Sequence, residues 1–294
     1  MPARSESAVP TPRVKLDLNC DLGEGEPLAR TRALMRRVTS ANVACGGHGG
    51  ELTTMEACVR LARQHGVRLG AHPGPWSRND FGRGPVRFAP EEFELLLLHQ
   101  VGALERVAQA GGVRLHHIKL HGALYHASEE NEALARRYVA AVSRFWPHAK
   151  IYARVGGRVA RVARRAGLVL WEEAFADRGY RDDGTLVPRT EPNALLTQAG
   201  LVVERVRRLL DEGELIAASG KRIALRPQTL CIHSDTPHAA RLAQAVVKAL
   251  AAKLNLPSNK RNSMQRSNQE GSVEMPLDLL SPSLEAGAAG SGSL

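Results

Sequence analysis

The stretch Leu16-Asp17-Leu18-Asn19-Cys20-Asp21 decides the fold. Apolar and polar residues alternate with the period of a β-strand, so Asp17, Asn19 and Asp21 share one face. A turn and a helix-like stretch, Leu28–Val38, come next. The same order then recurs. Further β-like runs are predicted at Asn42–Cys45, Arg68–His72, His117–His121, Ile151–Val155, Val169–Phe175 and Leu230–His233, with the first over Val14–Asn19. Helix-like stretches follow them at Thr53–Gln64, Pro90–Ala110, Asn131–Phe145, Arg158–Ala166, Asn193–Leu210 and Pro237–Lys253. Pro90-Glu91-Glu92 and Thr236-Pro237 are helix start signals. Alternating β and α implies an α/β fold, a parallel sheet covered by helices. Seven such units fit a closed or nearly closed (β/α) barrel better than an open doubly wound sheet. A small hairpin is expected where Ser219-Gly220-Lys221 turns between Leu215–Ala218 and Ile223–Leu225.

The ends read differently. Residues 1–13 are expected to be a flexible arm, 14–254 the barrel domain, and 255–294, rich in Asn, Ser, Gly and Pro, a disordered tail. The 294 residues are 43% hydrophobic and 24% charged, which excludes wholesale disorder. No apolar run approaches the roughly 18 residues of a membrane span. Met1 to Pro12 lacks the apolar stretch of a secretory signal. Cys20, Cys45, Cys58 and Cys231 form no C-x-x-C pair, so reduced thiols in a cytoplasmic protein are expected. The net charge of +10 raises nucleic acid as a partner, but with only 4% aromatic residues there is no stacking platform. A solvated basic surface is the reading kept.

The unusual polar groups fall at the C-terminal ends of the predicted strands. Strand 1 supplies Asp17, Asn19 and Asp21; the glycine-rich run after strand 2 supplies His48; strand 3 ends in His72. Strand 4 carries Lys119 and His121, strand 6 leads into Glu173, Asp177 and Arg178, and the last strand into His233 and Asp235. In a parallel barrel these ends converge on one mouth, where barrel active sites lie. Asp, His and Lys together suit general acid–base work and oxyanion stabilisation. There is no G-x-S-x-G elbow and no phosphate-binding G-x-x-x-x-G-K-[ST] loop. Cys20 and Cys45 lie inside β-like runs and read as small buried hydrophobes. Asp21, His48, His72 and His121 are candidate metal ligands, although no bound metal is firmly implied. His117 and His121 do not form a pair, because four residues along a strand span about 13 Å.

At these residues the chain resembles the LamB/YcsF family. The segments that carry the likeness include Asp17-Leu18-Asn19-Cys20-Asp21-Leu22-Gly23-Glu24, Ala41-Asn42-Val43-Ala44-Cys45-Gly46 with His48, and Gly70-Ala71-His72-Pro73-Gly74. Others are Phe81-Gly82-Arg83, Lys119 with His121-Gly122-Ala123-Leu124-Tyr125, Glu173 to Arg178, Leu186-Val187-Pro188-Arg189, and Cys231-Ile232-His233 with Asp235-Thr236-Pro237. Gly47 and Leu120 depart from the family pattern, which has Phe and Pro there. The resemblance implies a seven-stranded barrel of the glycoside hydrolase/deacetylase-like type, with a link to carbohydrate metabolism through that fold. It also implies ATP-dependent opening of 5-oxoproline to L-glutamate, ATP (with Mg) as cofactor, and two partner subunits, B and C. On that reading Asp21, Lys119 and His121 are catalytic, with Asp21 or His121 as base and Lys119 facing phosphate or oxyanion. Asp17, Asn19, His48, His72, Glu173, Asp177, Arg178, His233 and Asp235 bind substrate, Arg178 taking its carboxylate. A metal-dependent deacetylase of a carbohydrate or small amide, and a non-catalytic ligand-binding subunit, are the alternatives.

Little periodic apolar surface lies beyond Lys253 to offset the ordering entropy of roughly 1–2 kcal/mol per residue. Truncation after Lys253 is therefore expected to shift the melting temperature by less than about 5 °C. A larger drop would show that the tail packs on the barrel.

Overall fold

A computed structural model describes residues 16–253; the expected arm and tail lie outside the described residues. Seven parallel strands close into a barrel. They are β1 (Asp17–Leu22), β2 (Ser40–Ala44), β3 (Arg68–His72), β4 (Leu115–Ile118), β5 (Lys150–Arg154), β6 (Leu170–Phe175) and, after a small hairpin, β9 (Thr229–His233), which pairs with both β1 and β6. The hairpin, β7 (Glu214–Ile216) and β8 (Arg222–Ala224), forms where the sequence predicts it. The helices are α1 (Leu28–Met35), α2 (Leu52–His65), α3 (Pro90–Ala110), α4 (Gly122–Glu130), α5 (Glu132–Phe145), α6 (Arg158–Arg165), α7 (Ala199–Asp211) and α8 (Ala239–Lys253).

Several elements differ in their bounds from the sequence reading, β4 among them, which is regular over Leu115–Ile118 where His117–His121 was expected. β1 runs three residues further toward the mouth, to Leu22. Helix α4 was not expected; it begins directly after His121, at Gly122, which is left-handed (φ +49°) and where a Cβ would also lie 2.5 Å from Gly82 O. Helix α7 starts at Ala199 rather than Asn193, because Asn193 is left-handed (φ 61°) and the residues after it are held extended, Leu195 bridging Arg178 and Leu196 N–H bonding Asp177 O.

The barrel is polar inside and apolar outside. Leu18, Cys20 and Leu22 of β1, Ala41 and Val43 of β2, Leu69 and Ala71 of β3, Ile118, Leu230 and Ile232 are buried in the hydrophobic layer shared with the helices. The alternate residues turn inward, and branched apolar side chains, which usually fill such barrels, are replaced by a hydrogen-bonded stack. At its base Asp17 accepts from Ser40 (2.8 Å), Thr229 (2.6 Å), Tyr152 (3.3 Å) and the Arg68 guanidinium (3.1 Å). One layer up, Asn19 donates to Thr229 (2.7 Å) and Glu173 (2.9 Å), and Asn42 donates to Asn19 and Asp21 (both 2.7 Å). His117 bonds Asn42 Oδ1 at 2.6 Å and stacks on Tyr152, ring centroids 3.8 Å apart. Buried polar groups are tolerated when each finds a partner, and this stack supplies partners to the side chains named here, with Glu173 Oε2 left without one.

Gly70 makes room for the His117 ring: an added Cβ would sit 2.1 Å from Nε2. Gly70→Ala is expected to cost roughly 1–3 kcal/mol in chemical denaturation. A cost under about 0.5 kcal/mol would show that the ring moves aside freely.

Candidate active site

The mouth is built where the strands end. Asp21 closes the inward row of β1. Two residues further, Gly23 (φ +74°) turns the chain so that Glu24 lies over the opening, and the Glu26 carboxylate accepts from the backbone N–H groups of both (2.8 and 2.9 Å). The loop after β2 brings in His48, and β3 ends on His72. After β4 the backbone stays extended beside β3, with Lys119 N–H bonded to Ala71 O and His121 N–H to Pro73 O. Lys119 and His121 therefore face inward together although the strand formally ends at Ile118. β6 supplies Glu173, and β9 supplies Cys231 and His233.

Lys119 is 2% exposed and lies at the centre. Its Nζ donates to Asp21 Oδ1 (2.9 Å) and Cys231 Sγ (3.1 Å) and pairs with Glu173 Oε1 (3.0 Å). Three protons thus meet three acceptors. Burial works against the ammonium, but Asp21, Cys231 and Glu173 together outweigh it and hold Lys119 well above the usual lysine range. Burial would raise Asp21 as well; His72 and Lys119 outweigh it and keep the carboxyl well below the usual range. Glu173 is pushed up by burial, against the pull of Lys119. Burial keeps the Cys231 thiol well above its ordinary value, and takes Cys45 to about 12. Cys45 bonds Val43 O and is a packed hydrophobe, as its sequence context suggests.

Beside this cation lies an imidazole group. Glu24 Oε1 is 3.0 Å from His48 Nε2, 3.0 Å from His121 Nδ1 and 3.6 Å from His72 Nε2. His48 and His121 stack with centroids 3.4 Å apart. Burial lowers His48 to about 4 and also lowers His121. For His72, Asp21 overrides burial and raises the value.

The structure brings Asp21, His48, His72, Lys119, His121, Glu173 and His233 together. Others named from sequence stand elsewhere. Asp17 sits at the opposite end of the barrel, locked in the basal hydrogen-bond layer, and Asn19 lies one layer beneath the mouth. Asp177 accepts from the backbone and Nδ1 of His233 (both 3.0 Å) and from Thr236 (2.6 Å), so it orients His233 from behind. Arg178 is buried and donates to the carbonyls of Val187 (2.7 Å) and Ala194 (3.2 Å), which organises the loop after β6 instead of leaving its fork open. Asp235 is on the rim, bonded to Arg83 (2.6 Å) and Arg189 (3.2 Å). Glu24 and Cys231 are the site members that sequence reasoning missed. Glu24 had a signal, as a second acid just past the strand end between two glycines.

Acids, imidazoles and a buried lysine converging on the C-terminal mouth define a (β/α)-barrel protein with an acid–base site. The chain belongs to the LamB/YcsF family, whose pattern it matches over residues 16–262. It is 41% identical over 248 residues to the 5-oxoprolinase A subunit of Symbiobacterium thermophilum, covering 83% of this chain and 95% of that protein. It is also 41% identical to the corresponding 5-oxoprolinase protein of Nitrobacter winogradskyi, covering 80% and 94%. Among solved structures, the lactam utilization protein of Thermus thermophilus superposes with a TM-score of 0.76 at 38% identity, covering 82% of this chain and 98% of that one. No helix among the described residues is long and apolar enough to cross a membrane.

Burial would raise Asp177, but its pairing with His233 outweighs this and lowers it to about 2. A carboxyl depressed on folding stabilises above its unfolded value near 4, and that contribution, roughly 2 kcal/mol, is lost as pH falls toward 2. The stability gap between wild type and Asp177→Asn should therefore narrow between about pH 5 and pH 2 in urea titrations. A gap that stays constant would contradict the assignment.

Proposed function

We propose that this chain is the A subunit of an ATP-dependent 5-oxoprolinase, opening the lactam ring of 5-oxoproline to give L-glutamate. The relatives' names and the likeness to a lactam utilization protein support the substrate class. The observation that carries the chemistry is Asp21, a carboxylate kept ionised at the mouth by Lys119 and bordered by the imidazoles of His72 and His233.

In this reading Asp21 takes a proton from water as its oxygen adds to the lactam carbonyl carbon. The ring C–N bond then breaks, and the nitrogen leaves as an amine after gaining a proton. Lys119 acts by fixing Asp21 in its ionised form; an oxyanion would reach it only by displacing the Cys231 sulfur. His233, whose Nε2 faces Asp21 Oδ2 at 3.9 Å, orients water and substrate. With Arg178 committed to backbone carbonyls, the substrate carboxylate is assigned to the rim cations Arg83 and Arg189, which Asp235 holds in place.

Bound ATP would supply the drive by transferring its γ-phosphoryl group to the lactam carbonyl oxygen, releasing ADP and making the ring carbon electrophilic toward the water that Asp21 activates, with phosphate released as that carbon–oxygen bond breaks. The described residues offer no triphosphate cradle. The Gly46–Gly50 loop is packed shut: a Cβ would come within 2.5 Å of Gly74 O at Gly47 and 2.4 Å of Ala44 O at Gly50. We therefore assign the nucleotide, with its Mg, to partner subunits B and C.

The test is glutamate release from 5-oxoproline and ATP, with and without the partner subunits. The chain alone should be nearly inactive. In the reconstituted enzyme Asp21→Asn should lower kcat about 10²–10⁴-fold without unfolding the protein. Robust turnover by the chain alone, or near-normal turnover with Asp21→Asn, would overturn the reading.

A further inference from the structure

The hydrogen bonds around the imidazole group fix where its protons are. His72 Nδ1 lies 2.8 Å from Lys119 O, and His121 Nε2 lies 2.8 Å from Phe81 O. A carbonyl oxygen only accepts, so both nitrogens carry hydrogen. In the neutral rings this leaves His72 Nε2 and His121 Nδ1 bare. Those two atoms face each other at 3.0 Å, and both also face the Glu24 carboxylate oxygen. His48 Nε2 points at the same oxygen, while its other nitrogen is buried without a partner. Lone pairs thus converge with too few protons among them.

The spacing is close to that of a coordination sphere, three of the separations lying a few tenths of an ångström short of it. Nitrogen and oxygen ligands at about 2.0–2.2 Å from a tetrahedral ion stand roughly 3.3–3.6 Å apart. The measured donor separations are 3.0, 3.0, 3.0 and 3.6 Å, and all four donor atoms lie within 4.8 Å of one another. The backing carbonyls on His72 and His121 are the outer-shell contacts that orient metal-bound imidazoles. Gly74 leaves no space behind His48, since a Cβ there would be 2.2 Å from Nδ1, so the ring is held facing the group.

We infer that Glu24, His48, His72 and His121 form a binding site for one divalent transition-metal ion of the zinc type. Three nitrogens and one carboxylate oxygen select such an ion over magnesium, which takes oxygen ligands. The site is separate from any magnesium that accompanies ATP. It borders Asp21, whose Oδ2 is 3.4 Å from His72 Nε2. The inference does not rest on the 5-oxoprolinase reading, and its readout is metal content, not turnover. The competing account is a proton shared between His72 and His121.

The experiment uses full-length untagged protein, stripped with chelator, incubated with Zn²⁺ or Co²⁺ and desalted. Elemental analysis should find about one ion per chain, and the Co²⁺ form should show the visible absorption of a tetrahedral nitrogen-rich site. Glu24→Gln and His48→Asn, with unchanged far-UV circular dichroism, should each weaken retention at least about tenfold. Retention near zero in the wild type, or absence of the Co²⁺ bands, would overturn the site even if neither variant folds. So would wild-type stoichiometry in both variants.

Discussion

The structure depends on one buried cation. Lys119 is enclosed in the barrel, and an ammonium there is sustained only because Asp21 and Glu173 sit against it. An isolated charge at this depth would lose its proton. With two carboxylates in place it keeps it, and Asp21 in turn keeps its negative charge at the mouth. A charge that the fold needs for stability is also what readies the proposed base.

That pairing explains why the barrel interior is polar. Asn19 bridges Glu173 and Thr229, Asn42 bridges Asn19 and Asp21, and Asp17 gathers the hydroxyls and Arg68 at the base. Each layer bonds to the one above. The hydrophobic contribution comes instead from the shell between strands and helices, where every outward residue of β1 is buried. Such a network is costly if half-made and specific when complete, which fits an interior whose task is to position charge.

Much of this was legible in the sequence. Alternation in Leu16–Asp21 showed which residues share a face, and repeated β-then-α order showed the barrel. Strict alternation also put Lys119 with His121. Distance along the strand was the harder quantity. Asp17 and Asp21 share a face yet stand about 13 Å apart by strand rise, the same arithmetic that separates His117 from His121, and so they belong to opposite ends of the barrel. Glu24 was hidden because it reaches the site through a glycine turn, outside any strand period. Arg178 could not be placed because the irregular loop that follows it decides which carbonyls its guanidinium meets.

The most direct measurement is the stability of charge-removal variants at the centre. If Lys119 is a buried, doubly paired cation, Lys119→Met alone should cost about 3–5 kcal/mol, because two buried carboxylates lose their counter-charge. The triple variant Asp21→Asn/Lys119→Met/Glu173→Gln should then recover more than half of that loss. Independent, additive effects, or a cost below about 1 kcal/mol for Lys119→Met, would contradict the account.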